Sequence, residues 1–128
     1  MASITVHKAF PPMTRETLAL YAGASGDSNP VHLDAEAARR AGFPDVFAQG
    51  MLVMAYMGRA VTDNVPIDRL RRFSTRFLAV TQLGDELTCR GTASEPRDEE
   101  GERRVTIELA MTNQYGETKL AGSAVVAL

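Results

Sequence analysis

Along the first third of the chain, apolar positions come in short clusters separated by turn formers, and each cluster suggests a different element. Residues 4 to 10 alternate weakly between apolar and polar side chains and stop at Pro11-Pro12, which predicts a short strand and a turn. Thr14 stands three residues before Thr17, with Glu16 between them. That arrangement predicts an N-cap and a helix through Leu18, Leu20 and Tyr21, stopping near Gly23. SGDSNP, residues 25 to 30, is dense in turn formers and is expected not to continue the helix. Asp34 suits a second N-cap, for AEAARRA, with Gly42 as its stop and Pro44 shortly beyond.

From Val46 to about Val61 the pattern becomes strongly apolar, with Met51, Leu52, Met54, Ala55 and Met57. Apolar residues fall all round the helical projection, so this helix is expected to be buried on most sides. Beyond Val65-Pro66 the period changes to two. Phe73, Thr75, Phe77 and Ala79 alternate with Ser74, Arg76 and Leu78, as in a strand. A Gly84-Asp85 turn leads into ELTCRGTAS, the charged connection PRDEEGE leads into RRVTIELAMTN, and a Gly turn between Gln114 and Glu117 leads into KLAGSAVVAL. The expectation is one α+β domain over residues 1–128. In it, four successive hairpin-linked strands form a largely antiparallel sheet, and the apolar helix covers one face.

Composition narrows the class. A chain of 128 residues buries roughly two-thirds of its unfolded surface, enough to fold without disulfides or metal. The formal net charge of -2 and a pI of about 5.7, with no basic block, point away from nucleic acid. The single cysteine, Cys89, cannot form an internal disulfide, which argues against a secretory scaffold. MASITVHKAF lacks the apolar run of a leader, and the Ala48–Met57 stretch is far short of the roughly 20 residues a membrane span needs. These features together suggest a soluble cytoplasmic domain. With two histidines and one cysteine, no zinc ligand set is visible.

The one dense polar constellation is Ser25-Gly26-Asp27-Ser28-Asn29-Pro30-Val31-His32. Asp27 and His32 lie five residues apart across a proline-fixed turn, so their side chains can converge. A carboxylate beside an imidazole can hold a water and move protons near neutral pH, and Asn29 adds a neutral amide. A structural reading stands beside this one: Asp27 in an Asx turn, Asn29 capping a helix at Pro30, and His32 on the surface.

The stretch from Tyr21 to Asp34, YAGASGDSNPVHLD, closely resembles the hydratase 2 signature of the MaoC-like family. That family comprises (R)-specific enoyl-thioester hydratases and 3-hydroxyacyl-thioester dehydratases. The aromatic, Gly-Asp, Asn-Pro and His positions match in order. FPDVFAQGMLVMA is similar to the start of the family's central helix, FSTRFLAVTQLGDELT to its strand and Gly-Asp turn, and NQYGETKLAGSAVVAL to its closing hairpin. The resemblance implies a hotdog fold, in which a curved antiparallel sheet wraps a central helix, and a unit that is at least a dimer.

By position, the resemblance implies that Asp27 and His32 bind and activate water, that Asn29 orients them, and that the Gly50 backbone N–H donates to the thioester carbonyl. A donor at a helix start suits the enolate-like charge that gathers there; losing one commonly costs about 3 kcal/mol. Many members carry His before the Gly-Met pair, where this chain has Gln49, so the hydrogen bonding there is expected to differ. Met51, Met54 and Met57 are spaced to line an adaptable acyl tunnel or to form a core stripe. Arg69, Arg71 and Arg72 would suit the phosphates of coenzyme A or a carrier protein, or else a plain charged strand entrance. PRDEEGE reads as a solvated hairpin tip.

The implied activity is reversible hydration of 2-enoyl thioesters of coenzyme A or acyl carrier protein, without metal or other cofactor. The alternatives are the catalytic half of a heterodimer with a second hotdog subunit, an acyl-binding module, and a hotdog thioesterase.

Overall fold

The computed structural model describes residues 4–128; Met1 to Ser3, part of the N-terminal stretch read above for leader character, lie outside the described residues. Strand β1 (Thr5–Ala9) is followed by helices α1 (Arg15–Ser25), α2 (Ala35–Arg40) and α3 (Gly50–Asn64). Strands β2 (Leu70–Phe77), β3 (Thr88–Ala93), β4 (Arg97–Glu99), β5 (Glu102–Thr112) and β6 (Thr118–Ala127) complete the order. The strands form one antiparallel sheet in the order β1-β3-β5-β6-β2, with β4 also on β5. The antiparallel expectation holds, but strand succession differs from it. β2 leaves β3 and pairs with β6 at an edge, and β3 pairs with β1 and β5, so β2 to β3 is a crossing and not a hairpin.

Helix α3 lies across one face of this sheet, packed against β1, β2 and β6, as a hotdog fold requires. Leu52, Val53, Met57, Ala60 and Val61 enter a common core with Val6, Leu87, Cys89, Ile107, Leu109, Met111, Leu120 and Val126. Burial alternates along β5, where Val105, Ile107, Leu109 and Met111 enter the core that α3 shares. In register, Gly91 and Gly122 flank Leu109 on the two neighbouring strands. A Cβ on Gly122 would stand 2.2 Å from the Ser74 carbonyl oxygen and one on Gly91 2.5 Å from that of Glu108, so the backbones close in there as only glycine permits.

Element ends depart from the sequence reading for local reasons. Helix α1 passes Gly23 and ends at Gly26, whose φ of 80° lets its N–H turn back to the Ala22 carbonyl. Thr14 caps its start as expected, accepting from the Thr17 N–H. Helix α3 starts at Gly50, not Val46, because the preceding residues are extended: Ala48 N–H donates to the Thr81 carbonyl and Phe47 bridges to Gln82. It is also less enclosed than its composition suggests, since Met51, Ala55 and Arg59 face outward. Strand β2 stops at Phe77; Leu78 and Ala79 both donate to the Lys119 carbonyl and leave the ladder.

Candidate active site

Helix α1 ends on a nest of short side chains. Ser25 Oγ donates to the Tyr21 carbonyl at 2.7 Å and accepts the Asp27 N–H at 3.1 Å. Asp27 Oδ1 accepts the Asn29 N–H at 3.3 Å, and Asn29 Oδ1 accepts the Val31 N–H at 3.2 Å, capping a single 3₁₀ turn over Pro30–His32. The Asx turn and the cap foreseen as structural roles are thus both present. They leave Asp27 Oδ2 and the His32 ring uncommitted to this turn.

The two functional candidates converge across it. His32 Nε2 stands 3.9 Å from Asp27 Oδ2, too long for a direct hydrogen bond. The other ring nitrogen, Nδ1, lies 2.7 Å from the Phe47 carbonyl oxygen. A carbonyl only accepts, so Nδ1 carries the proton and, in the neutral ring, Nε2 presents its lone pair towards Asp27. The Phe47 ring meets the imidazole edge-on at 5.0 Å, and Phe43 packs on Phe47 at 4.3 Å. His32 is therefore held among aromatic groups with 11% of its side chain exposed, while 42% of the Asp27 side chain is exposed.

Phe47 connects this pair to an open apolar cavity of about 360 Å³. Phe47, Ala48, Gly50, Val53, Phe77 and Leu120 line it, and the non-helical segment Leu78–Thr81 forms one wall. Gly50, the first residue of α3, lines the cavity, and no side chain among the described residues caps the helix. The Leu52 and Val53 N–H groups turn back to the Gln49 carbonyl, so the Gly50 end of the first turn meets the cavity with the positive end of the helix dipole behind it. A Cβ at Gly50 would stand 3.3 Å from the Phe77 ring.

The other positions foreseen from the sequence are distributed differently. Gln49 is fully buried and outside the cavity lining. Its Nε2 donates to the Leu18 carbonyl at 3.0 Å, tying α1 to the start of α3, and its Oε1 has no partner among the described residues. Met51 is 56% exposed and Met54 half-buried, and neither lines the cavity; Met57 belongs to the core. The arginine cluster is occupied elsewhere. Arg71 grips Glu102 through two bonds of 2.8 Å, Arg72 pairs with Glu99 at 2.7 Å, and Arg69 donates to the Leu128 carbonyl. Arg71 also lies roughly 20 Å along β2 from Phe77, at the usual rise per strand residue. For the same reason PRDEEGE is no merely solvated tip, since it supplies both glutamates.

Cys89 is buried in β3, and burial pushes its thiol up to about 11, which keeps it protonated and unreactive. Among the described residues no group of three or more His, Cys, Asp or Glu side chains could hold a metal ion, and no helix is long and apolar enough to cross a membrane. The cavity wall at 78–81, the aromatic pair Phe43–Phe47 and the Phe47 carbonyl were not foreseen. Only the aromatic identity of Phe43, Phe47 and Phe77 could have hinted at them.

Comparison with known proteins gives a consistent picture. A family model described as MaoC like domain matches residues 5–114. R-hydratase PhaJ1 from Pseudomonas aeruginosa is 28% identical and superposes with a TM-score of 0.83, over 99% of this chain and 81% of that one. The ChsH1-ChsH2 complex from Mycobacterium tuberculosis, at 17% identity and a TM-score of 0.82, shares the fold over 100% of this chain and 98% of that one. A mitochondrial 3-hydroxyacyl-[acyl-carrier-protein] dehydratase of Arabidopsis thaliana is 36% identical over 72 residues, which is 56% of this chain and 43% of the relative. Fatty acid synthase subunit beta of Aspergillus oryzae is 41% identical over 76 residues, 56% of this chain and 4% of that much longer protein. The chain therefore spans less than half the length of both curated relatives.

Proposed function

The chain belongs to the MaoC-like domain family, and on that footing we propose that it is a hydro-lyase interconverting 2-enoyl and (R)-3-hydroxyacyl thioesters. The observation that carries this reading is the pair formed by Asp27 Oδ2 and His32 Nε2, 3.9 Å apart, with the far side of the imidazole anchored on Phe47. Two polar atoms at that separation can share one water at ordinary hydrogen-bond lengths of about 2.8 Å.

In hydration, the water oxygen adds to the third carbon while His32 Nε2 takes its proton, and Asp27 orients the water and favours the imidazolium that forms. Electron density moves through the conjugated system to the thioester oxygen. There the Gly50 N–H and the start of α3 stabilise the enolate-like charge. A proton then reaches the second carbon from the same pair, and dehydration reverses the steps. Asn29 positions Asp27 and His32 through its main chain and its capping oxygen. The acyl chain would occupy the apolar cavity, carried by coenzyme A or an acyl carrier protein.

A second reading keeps the same chemistry but makes this chain the catalytic half of a pair with another hotdog subunit. It is favoured by the apolar surface at the cavity, where Phe77 and Leu78 are each more than half exposed, and by the two-subunit neighbour. A homodimer would cover the same surface.

The test is to incubate the purified protein with crotonyl-coenzyme A and a longer enoyl-coenzyme A, following the conjugated thioester absorbance, the free thiol and the native mass. Loss of absorbance without thiol release is expected. Thiol release would move the reading to a hotdog thioesterase. Activity that appears only when a second hotdog subunit is added would establish the two-subunit form.

A further inference from the structure

Lys119 is the least exposed charged residue among those described, at 2%, and its placement on β6 is unusual for a side chain that is normally kept in water. Its ammonium group donates to the Val80 carbonyl at 2.8 Å, bonds the Glu117 carboxylate and lies 3.3 Å from Asp85 Oδ2. Asp85, itself buried, accepts the Gln82 N–H at 2.8 Å on Oδ2 and the Asn113 amide at 3.1 Å on Oδ1. The Lys119 main-chain carbonyl accepts from both Leu78 and Ala79.

These contacts converge on one stretch of backbone. Leu78 to Thr81 form the irregular wall of the cavity, outside any strand ladder that would fix them. Lys119 and Asp85 hold Leu78, Ala79, Val80 and Gln82, while the Thr81 carbonyl accepts the Ala48 N–H at 2.8 Å. Gln82 bridges to Phe47, whose carbonyl in turn anchors His32 Nδ1. The Val80 carbonyl lies outside the strand ladders, and the Lys119 ammonium supplies the donor that a strand neighbour would otherwise give. An apolar residue at 119 would pack there without the desolvation that a buried charge incurs.

We propose that Lys119, compensated by Asp85, is a positioning residue that sets both the acyl-facing wall and, through Gln82 and Phe47, the orientation of the His32 ring. The role in substrate choice rests on the hydratase reading; the role in orienting His32 does not. Replacing Lys119 lets Val80 turn away, loosens the wall and relaxes the Phe47 carbonyl. Removing one partner of a buried ion pair also strands the other, so loss of stability alone would not distinguish positioning from simple structural support.

The experiment therefore compares Lys119→Met with the double variant Lys119→Met/Asp85→Asn, which removes both charges and is expected to melt closer to wild type. Glu117→Gln is a milder third form, since that partner is half exposed. The chain contains only two histidines, so ring-nitrogen NMR reports His32 directly, with His7 on the outer surface as internal control. The His32 ring signals are expected to shift in both Lys119 variants while those of His7 stay in place.

Turnover of the preferred enoyl-coenzyme A should fall by about ten- to a hundredfold, the usual consequence of a misplacement near 1 Å, and the ratio of kcat/KM between short and longer acyl chains should change. A folded double variant with wild-type His32 signals and an unchanged chain-length ratio overturns the proposal. If the wild type hydrates no enoyl thioester, the hydratase reading fails by itself, and the NMR comparison still decides whether Lys119 positions His32.

Discussion

At the end of the sheet where β4 turns into β5, Arg71 and Arg104 grip Glu102, and Arg72 and Arg97 converge on Glu99. Beside the cavity, Asp27 and His32 stand 3.9 Å apart, and among the described residues the start of α3 has no side-chain cap and Gln49 keeps an acceptor without a partner. In the first region nearly every charge is answered by another charge at bonding distance, so little capacity remains for a ligand. In the second, backbone and aromatic contacts hold the polar groups while their reactive atoms stay open. The arginine-rich end has more charge, and its sequence allowed a phosphate site as well as a plain charged strand entrance. Capacity left over after internal pairing is the better guide to chemistry.

That contrast can be broken at its strongest point first. Asp27→Asn is expected to cut turnover by at least about a hundredfold with an unchanged melting temperature, because the carboxylate is partly exposed and its neutral isostere keeps the Asx turn. Adding His32→Gln should cost little more, since residues that act as one unit are not additive. Near-additive losses, measured as kcat/KM for all three variants, would separate the two roles. Gly50→Ala should keep the fold, because the Phe77 ring at 3.3 Å is half exposed and can give way, yet lower kcat/KM by about tenfold by crowding the backbone donor.

At the paired end the expected effect is on stability alone. Arg71, then Arg104, hold the Glu102 carboxyl well below its ordinary 4.5, at about 2. A lowered folded-state value stabilises the protein above the ordinary value and loses that contribution as pH falls from about 4.5 towards 2. Glu102→Gln should therefore flatten the acid side of the melting-temperature profile and leave turnover at neutral pH as it was. A change in turnover would show that the two regions are coupled. The smallest effect is expected from Gln49→Met, which removes one hydrogen bond and one orphaned acceptor together. These changes oppose each other and should leave stability within about 1 kcal/mol of wild type by chemical denaturation.

Much of the architecture was legible because it is written locally. Thr14 and Asp34 cap helices where their spacing said they would, the period of two marked β2, turn formers marked off β5 and β6, and the Asp27–His32 segment formed the expected turn. The arithmetic of caps and periods needs only a few neighbouring residues. It failed where a neighbour in space intervened. α3 begins late because Phe47 and Ala48 are drawn to Gln82 and Thr81, and β2 leaves its ladder early because Lys119 captures the next two N–H groups.

By itself, then, the sequence determined the kind of fold, the identity of the polar loop and the likeness to a family of thioester hydratases. Only the tertiary structure decided which atoms of that loop stay free, that Met51 and Met54 lie off the cavity while Phe77 and Leu120 line it, and what holds the wall. The contacts responsible join residues far apart, His32 to Phe47 across 15 positions, Gln49 to Leu18 across 31 and Lys119 to Val80 across 39. In each the acceptor is a backbone carbonyl, a group every residue carries and no side-chain pattern can announce.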